Sequence, residues 1–227
     1  MSQPQPILLV YASMPETLGL LDLSKHQPID TDLFKINDGI HVLISGIGIP
    51  ETTFKLTQIL SKHNYQFIYN IGLAGSFDSS LELGQIVVVQ NDTFGDLGLA
   101  TTNRFYTLSD LKLQKEEESK PLQEAFGMFA PNFELLKSFP KVSAVTVNSL
   151  LTNENQILLR KERFGAQIET MEGAAVFYVC KKMNLPVSQI RIISNQVGER
   201  DKTKWLLKPA ILKLNSFVNQ FLQINQE

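Results

Sequence analysis

The sequence predicts an α/β fold, on three observations. Short runs rich in β-branched and other apolar residues recur along its 227 residues, at 7–11, 41–45, 67–71, 86–89, 141–147 and 187–193. Stretches with the apolar spacing of helices alternate with them. No repeat, low-complexity tract or internal linker breaks the alternation. Residues 1–227 therefore read as one α/β domain with a sizeable core.

Residues 7–11 form the first buried strand. It ends at Ala12-Ser13-Met14-Pro15-Glu16, and a helix starts at Pro15 or Glu16, because proline suits a first helical turn. Glu16 thus stands at a strand-to-helix turn, on the edge where open α/β sheets take ligands. A helix-start acid serving the macrodipole is the plain alternative. Asn37-Asp38-Gly39 is a turn before the strand at 41–45. Ser45-Gly46-Ile47-Gly48-Ile49-Pro50-Glu51 then opens a helix to Ser61. Its glycines allow a tight turn against a ligand. Glu51 stands where a dinucleotide fingerprint needs a third glycine, so no nicotinamide or flavin site is read.

The strand at 67–71 runs into Gly72-Leu73-Ala74-Gly75-Ser76, read as a loop whose small residues leave backbone amides open to oxygen atoms. The run at 86–89 leads to Asn91-Asp92-Thr93-Phe94-Gly95-Asp96-Leu97-Gly98. Residues 104–132 have weak periodicity and an acidic run, Glu116-Glu117-Glu118. They read as a surface excursion. It either closes as a lid, with Phe105, Tyr106, Phe126 and Phe129 over a substrate, or packs those rings on itself.

The alternating strand at 141–147 is followed by Asn148-Ser149-Leu150-Leu151-Thr152, then by a helix at 155–164 that Gly165 ends. Residues 168–201 read as loop, buried helix, buried strand and polar loop. Thr170 and Glu172 precede Ala174, Ala175, Val176, Phe177, Val179, Cys180 and Met183, a helix apolar almost all round. Asn184 and Pro186 stop it. The covered strand at 187–193 delivers Ser194 and Asn195 to its carboxyl end, although an Asn there also serves as a turn residue. A last amphipathic helix, 209–222, buries Ile211, Leu212, Leu214, Phe217, Val218 and Phe221.

Apolar content of 43% and charged content of 19% are those of an ordinary globular chain. A net charge of −2 gives no broad attraction to nucleic acid or an anionic membrane. The single cysteine, Cys180, falls among core residues and excludes an intrachain disulfide. Residues 1–6 carry no basic leader and 7–10 are too few for a signal core or a membrane span, so a cytoplasmic protein is expected. His26, His41 and His63 are scattered, so no metal site is expected. Nor is a P-loop, a G-x-S-x-G elbow or any cofactor.

Met171-Glu172 ahead of a buried helix, then a strand ending in Arg191-x-x-Ser194-Asn195, resembles the purine nucleoside phosphorylase and nucleosidase superfamily. So do Ala12-x-x-x-Glu16, the SGIG at 45–48 and Asn70-x-Gly72-x-Ala74-Gly75-Ser76. More narrowly, SNQVGERDxxxW (194–205) and Phe94-x-Asp96-Leu97-Gly98 are similar to segments of futalosine hydrolases, bacterial nucleosidases of menaquinone biosynthesis. The resemblance spans Pro6 to Trp205. It implies a three-layer, nucleoside phosphorylase-like fold, with a mixed central sheet flanked by helices. It also implies a small-molecule purine nucleoside as partner, and a homodimer or higher homo-oligomer.

The polar set Glu16, Ser76, Glu172, Arg191, Ser194 and Asn195, with Asp201 behind it, suits cleavage of an N-glycosidic bond. Such a bond breaks through an oxocarbenium-like sugar, so the protein must hold the ribose, stabilise the base and deliver water. By resemblance, Glu172 beside Met171 holds the ribose hydroxyls. Glu16 orients and deprotonates water, aided by Ser76 and Arg191. Leu150 and Leu151 pack on the purine face, and Ser194 is a further substrate-binding group. Asn195 departs from the Asp of adenine-specific nucleosidases. A carboxamide offers a donor to O6 and an acceptor to N7–H, which favours a 6-oxopurine.

Related phosphorylases bring a basic residue to the first segment; 7–21 has none, and Glu16 would repel phosphate, leaving Arg104 and Arg191 as candidate phosphate ligands. The expected reaction is hydrolysis of futalosine to dehypoxanthine futalosine and hypoxanthine. Arg104, Arg200 and Lys202 are candidates for the substrate's carboxyphenyl end. The alternatives are a methylthioadenosine/adenosylhomocysteine nucleosidase, a 6-oxopurine nucleoside phosphorylase and a non-catalytic nucleoside-binding protein.

Overall fold

Five consecutive apolar residues make β1 (Ile7–Tyr11) a strand buried on both faces. The two-residue period divides it: Leu8 and Val10 join one core, while Ile7, Leu9 and Tyr11 join another. A computed structural model describes residues 5–22, 24–26, 28–124 and 133–224. After β1 comes a single 3-10 turn, Met14–Thr17, where a helix starting at Pro15 or Glu16 was expected. A meander follows, β2 (Pro28–Asp30), β3 (Leu33–Asn37) and β4 (Ile40–Ile44), then α1 (Ile49–Lys62) and β5 (Phe67–Ser76). β6 (Ile86–Phe94) leads to the excursion.

Just before the excursion, β7 (Gly98–Ala100) pairs with β8 (Phe105–Thr107) inside it, and β9 (Leu122–Gln123) pairs with β6. Phe105 rests on Phe164, with ring centres 5.5 Å apart, and Arg104 lies 4.7 Å over Tyr106. Phe126 and Phe129 fall outside the described residues. The chain continues with α2 (Phe133–Leu136), β10 (Lys141–Thr146), α3 (Glu154–Phe164), β11 (Ile168–Thr170), α4 (Gly173–Met183), β12 (Val187–Gln196) and α5 (Leu207–Leu222). Among the described residues no helix is long and apolar enough to cross a membrane.

The sheet runs β11-β10-β6-β12-β5-β1-β4-β3-β2, with parallel and antiparallel neighbours. α1 and α4 pack together over one face and α5 covers the other, which is the three-layer arrangement expected. One finding goes beyond that expectation. β11 also pairs with β5, so β5, β12, β6, β10 and β11 close into a ring.

The ring corrects two sequence readings. Residues 168–170 are a strand, not a loop, and Gly72–Ser76 extend β5 rather than leaving it. Glycine weakens a strand interior, but here it permits close approach. A Cβ on Gly72 would stand 2.5 Å from Arg191 Nη1, and one on Gly75 3.1 Å from Val197. Leu212, expected in the core, is 42% exposed; α5 instead turns Ala210 and Asn215 inward with Ile211, Leu214, Val218 and Phe221.

Candidate active site

The carboxyl ends of β1, β5, β11 and β12 converge on a cleft of about 210 Å³. Glu16, Leu150, Leu151, Met171, Glu172, Ser194 and Asn195 all line it, joined by Glu169, Arg200 and Trp205. Seven of the nine residues singled out from sequence are thus brought together. Ser76 and Arg191 stand elsewhere.

Glu16 reaches the cleft because its 3-10 turn folds back on β1. The Ala12 N–H donates to its Oε2 at 3.1 Å, and Leu73 contributes a second backbone hydrogen bond. The turn is latched from the far end of the sequence. Asn215 of α5, fully buried, donates to the carbonyls of Glu16 (2.8 Å) and Leu18 (2.9 Å) while accepting from the Tyr11 hydroxyl (2.8 Å). Burial, and then the charge of Glu172, push the Glu16 carboxyl up to about 7, against the opposing pull of Arg191.

Glu172 occupies the residue before α4 without capping it. Its Oε1 instead accepts from the Gly48 N–H at 2.9 Å, which ties the SGIG turn to the cleft. Burial raises this carboxyl too, and Arg191 opposes the rise.

Arg191 lies under the cleft, 1% exposed. Its Nε donates to Gln189 Oε1 at 2.8 Å and its Nη2 to Asn70 Oδ1. Enclosed in this way, it is a fixed countercharge to Glu172, Glu16 and Asp92. Ser76 turns its hydroxyl out of the cleft: Oγ donates to the Asp78 carbonyl at 2.8 Å and accepts from the Asp78 N–H at 3.0 Å.

β12 is irregular between Ile193 and Asn195, paired with Ala74 and Gly75. The extra residue is Ser194, so both polar side chains reach the cleft, as bulges beside binding sites often arrange. The Ser194 hydroxyl donates to Asn195 Oδ1 at 2.8 Å, and Asn195 Nδ2 donates to the Gln196 carbonyl at 2.9 Å. Asp201 serves its own turn, accepting from Thr203 N–H at 3.0 Å, away from the cleft. Arg104 lines a neighbouring hollow of about 230 Å³ that shares Leu151 with the cleft; Lys202 lines neither.

Two acids escaped sequence reasoning. Asp92, fully buried in β6, accepts from Thr146 (2.9 Å), Gln189 (3.1 Å) and the Thr93 N–H (2.8 Å), and burial pushes it up to about 6. Gln189 thereby links Asp92 to Arg191. Glu169, in β11, pairs with Arg160 of α3 at 2.7 Å. An acid within an apolar strand was the available signal for Asp92; Glu169, three residues before Glu172, carried none.

The family model for the phosphorylase superfamily matches residues 33–224. The chain belongs to the phosphorylase superfamily. Within it, a futalosine hydrolase of Streptomyces coelicolor is 26% identical over 206 residues, covering 85% of this chain and 82% of that one. A 5'-methylthioadenosine/S-adenosylhomocysteine nucleosidase of Buchnera aphidicola is 27% identical over 180 residues, covering 75% and 69%. The solved futalosine hydrolase of Helicobacter pylori superposes with a TM-score of 0.79 at 20% identity, over 96% of this chain and 97% of that one. This last likeness shows the fold alone.

Proposed function

We propose that this superfamily member is a nucleosidase that hydrolyses the N-glycosidic bond of futalosine, releasing hypoxanthine and dehypoxanthine futalosine. The observation that carries the reading is the pair of carboxylates in one cleft, Glu16 and Glu172, set over the buried charge of Arg191. Glu16 near 7 is matched to a general base working at neutral pH. It takes the proton of a water whose oxygen bonds to C1′ of the ribose. The C1′–N9 bond breaks, its electron pair leaves with the base, and the base takes up a proton at N7 from solvent while Glu16 returns the water proton to solvent. Glu172 accepts from the ribose hydroxyls, and Asn195 faces N7–H and O6. Positioned proton transfer of this type contributes roughly 10²- to 10⁴-fold.

The only cationic side chain lining the cleft, among the described residues, is Arg200. A phosphate nucleophile would face four carboxylates there, Glu16, Glu169, Glu172 and Glu199, which favours water. The relatives named as futalosine hydrolases support the substrate, and those named as methylthioadenosine nucleosidases supply the competing one. Asn195 weighs for the 6-oxopurine.

The test is release of free base from futalosine, inosine and methylthioadenosine, each with and without phosphate. Phosphate-independent hypoxanthine from futalosine is the expected result. Adenine from methylthioadenosine, or a phosphate requirement, would replace the proposal with the corresponding alternative.

A further inference from the structure

Gly75 has two register partners, one on each side: Asn195 on β12 and Glu169 on β11. Residues in one row of a sheet send their side chains to the same face, so Glu169 and Asn195 flank a glycine that has none. Adjacent strands lie about 4.8 Å apart, so across Gly75 the two Cα atoms stand at most about 10 Å apart, and closer where the ring curves. A side chain at Gly75 would crowd the carboxamide, because a Cβ there would stand 3.3 Å from Asn195 Nδ2. The gap suits a planar heterocycle held at both edges.

Glu169 is 5% exposed and lines the cleft. Its Oε2 is taken by Arg160 Nη1, which also donates to the Ser149 carbonyl at 3.2 Å. Its Oε1 accepts no hydrogen bond from the described residues. One oxygen is anchored and the other is left as an acceptor. That oxygen faces the cleft, where a bound ligand can donate to it.

We propose that Glu169 is a specificity-determining residue that accepts the N1–H of a 6-oxopurine, opposite Asn195 across Gly75. This rests on the nucleosidase reading for its ligand and deepens it. Hypoxanthine carries a hydrogen on N1. Adenine carries a lone pair there, which would oppose the carboxylate oxygen. The two edges of the base are then read independently, by Asn195 at N7 and O6 and by Glu169 at N1. Arg160 is a positioning residue: it holds one carboxylate oxygen so that the other keeps its direction.

The chemistry of Arg160 makes the test sharp. A guanidinium only donates. In Glu169→Gln the amide carbonyl must therefore turn to Arg160, and the NH2 then faces the cleft. An acceptor becomes a donor at nearly unchanged volume. Binding of free hypoxanthine, adenine and 1-methylhypoxanthine is measured by calorimetry on wild type and Glu169→Gln, with a thermal melt to confirm folding. Wild type is expected to favour hypoxanthine over both other bases. In the variant, the hypoxanthine-to-adenine ratio should fall by about tenfold to a hundredfold, with adenine gaining in absolute terms.

A purely structural ion pair would weaken both bases alike. An unchanged ratio in a folded variant overturns the inference. Arg160→Lys, which keeps the charge but not the geometry, gives a second reading: a partial fall in the ratio is expected, and none would again count against it. Base binding without turnover of any nucleoside would sink the hydrolase reading and leave Glu169 in its role. Turnover of futalosine with an unchanged ratio in Glu169→Gln would do the reverse.

Discussion

Replacing Glu16 with Gln should stabilise the protein above neutrality while removing its activity. The folded-state carboxyl titrates at about 7, against 4.5 for the free side chain. The folded protein therefore holds a proton that the unfolded chain has already released between those values. Where the folded state binds more protons, stability falls as pH rises. Glu16 costs nothing below pH 4.5, an increasing amount through the window, and its full amount above 7. At about 1.4 kcal/mol per unit, the ceiling is about 3 kcal/mol, reduced by the solvent that reaches the open cleft.

Urea denaturation at pH 5 and pH 8 checks this. Glu16→Gln minus wild type should be small at pH 5 and up to about 2–3 kcal/mol in favour of the variant at pH 8. Subtraction removes Asp92 and Glu124, which burial also raises, to about 6 and about 7. In wild type, kcat/KM should fall tenfold per pH unit below 7, as the base takes up its proton. A stability difference independent of pH, or full activity in the variant, would refute the reasoning.

Three further outcomes are expected. Asn195→Asp should move base preference from hypoxanthine towards adenine by about tenfold or more; initial rates on inosine and adenosine decide it, and a constant ratio removes Asn195 as a selector. Gly173→Ala should destabilise by about 1–3 kcal/mol, although alanine is the better helix former. Its Cβ would stand 2.3 Å from Asp92 Oδ2 and 2.3 Å from Gln189 Oε1. A raised urea midpoint would contradict that. The Cys180 thiol, buried and pushed well above its ordinary range, should react with a chromogenic thiol reagent only after unfolding. Rapid labelling of native protein would show that α4 opens.

Where local chemistry decided the structure, the sequence was readable. The β-branched runs became strands, and Gly165 and Asn184 ended their helices in the left-handed conformation that their residue types tolerate. Glu16 could be placed because it follows a strand at the ligand edge, and Glu172 because it stands at the start of a buried helix. What escaped depended on distant partners. Three residues, Ile168–Thr170, have too little pattern to announce a strand, and β11 exists because β5 and β10 both accept it. Gly72 and Gly75 look like loop residues until strands are packed against them. Ser76 has the residue type of a site group, yet its hydroxyl finds Asp78 two residues on. Asn215 looks like a break in the apolar stripe of α5, and only the neighbouring Tyr11 and Glu16 turn explain it.

The latch between α5 and the Glu16 turn joins groups 199 residues apart, and this has a consequence for the order in which the molecule takes shape. Strands β1, β4 and β5 can associate early, but β12 must enter between β5 and β6 before the ring closes. Contacts so distant along the chain form slowly, because long loops must be closed first. A polypeptide emerging from the ribosome therefore carries Glu16 almost from the outset, yet cannot hold it in place until α5 has been made. On dilution from denaturant, helical signal should return before hydrolysis does, and a chain cut short before Asn215 should retain sheet without a competent cleft.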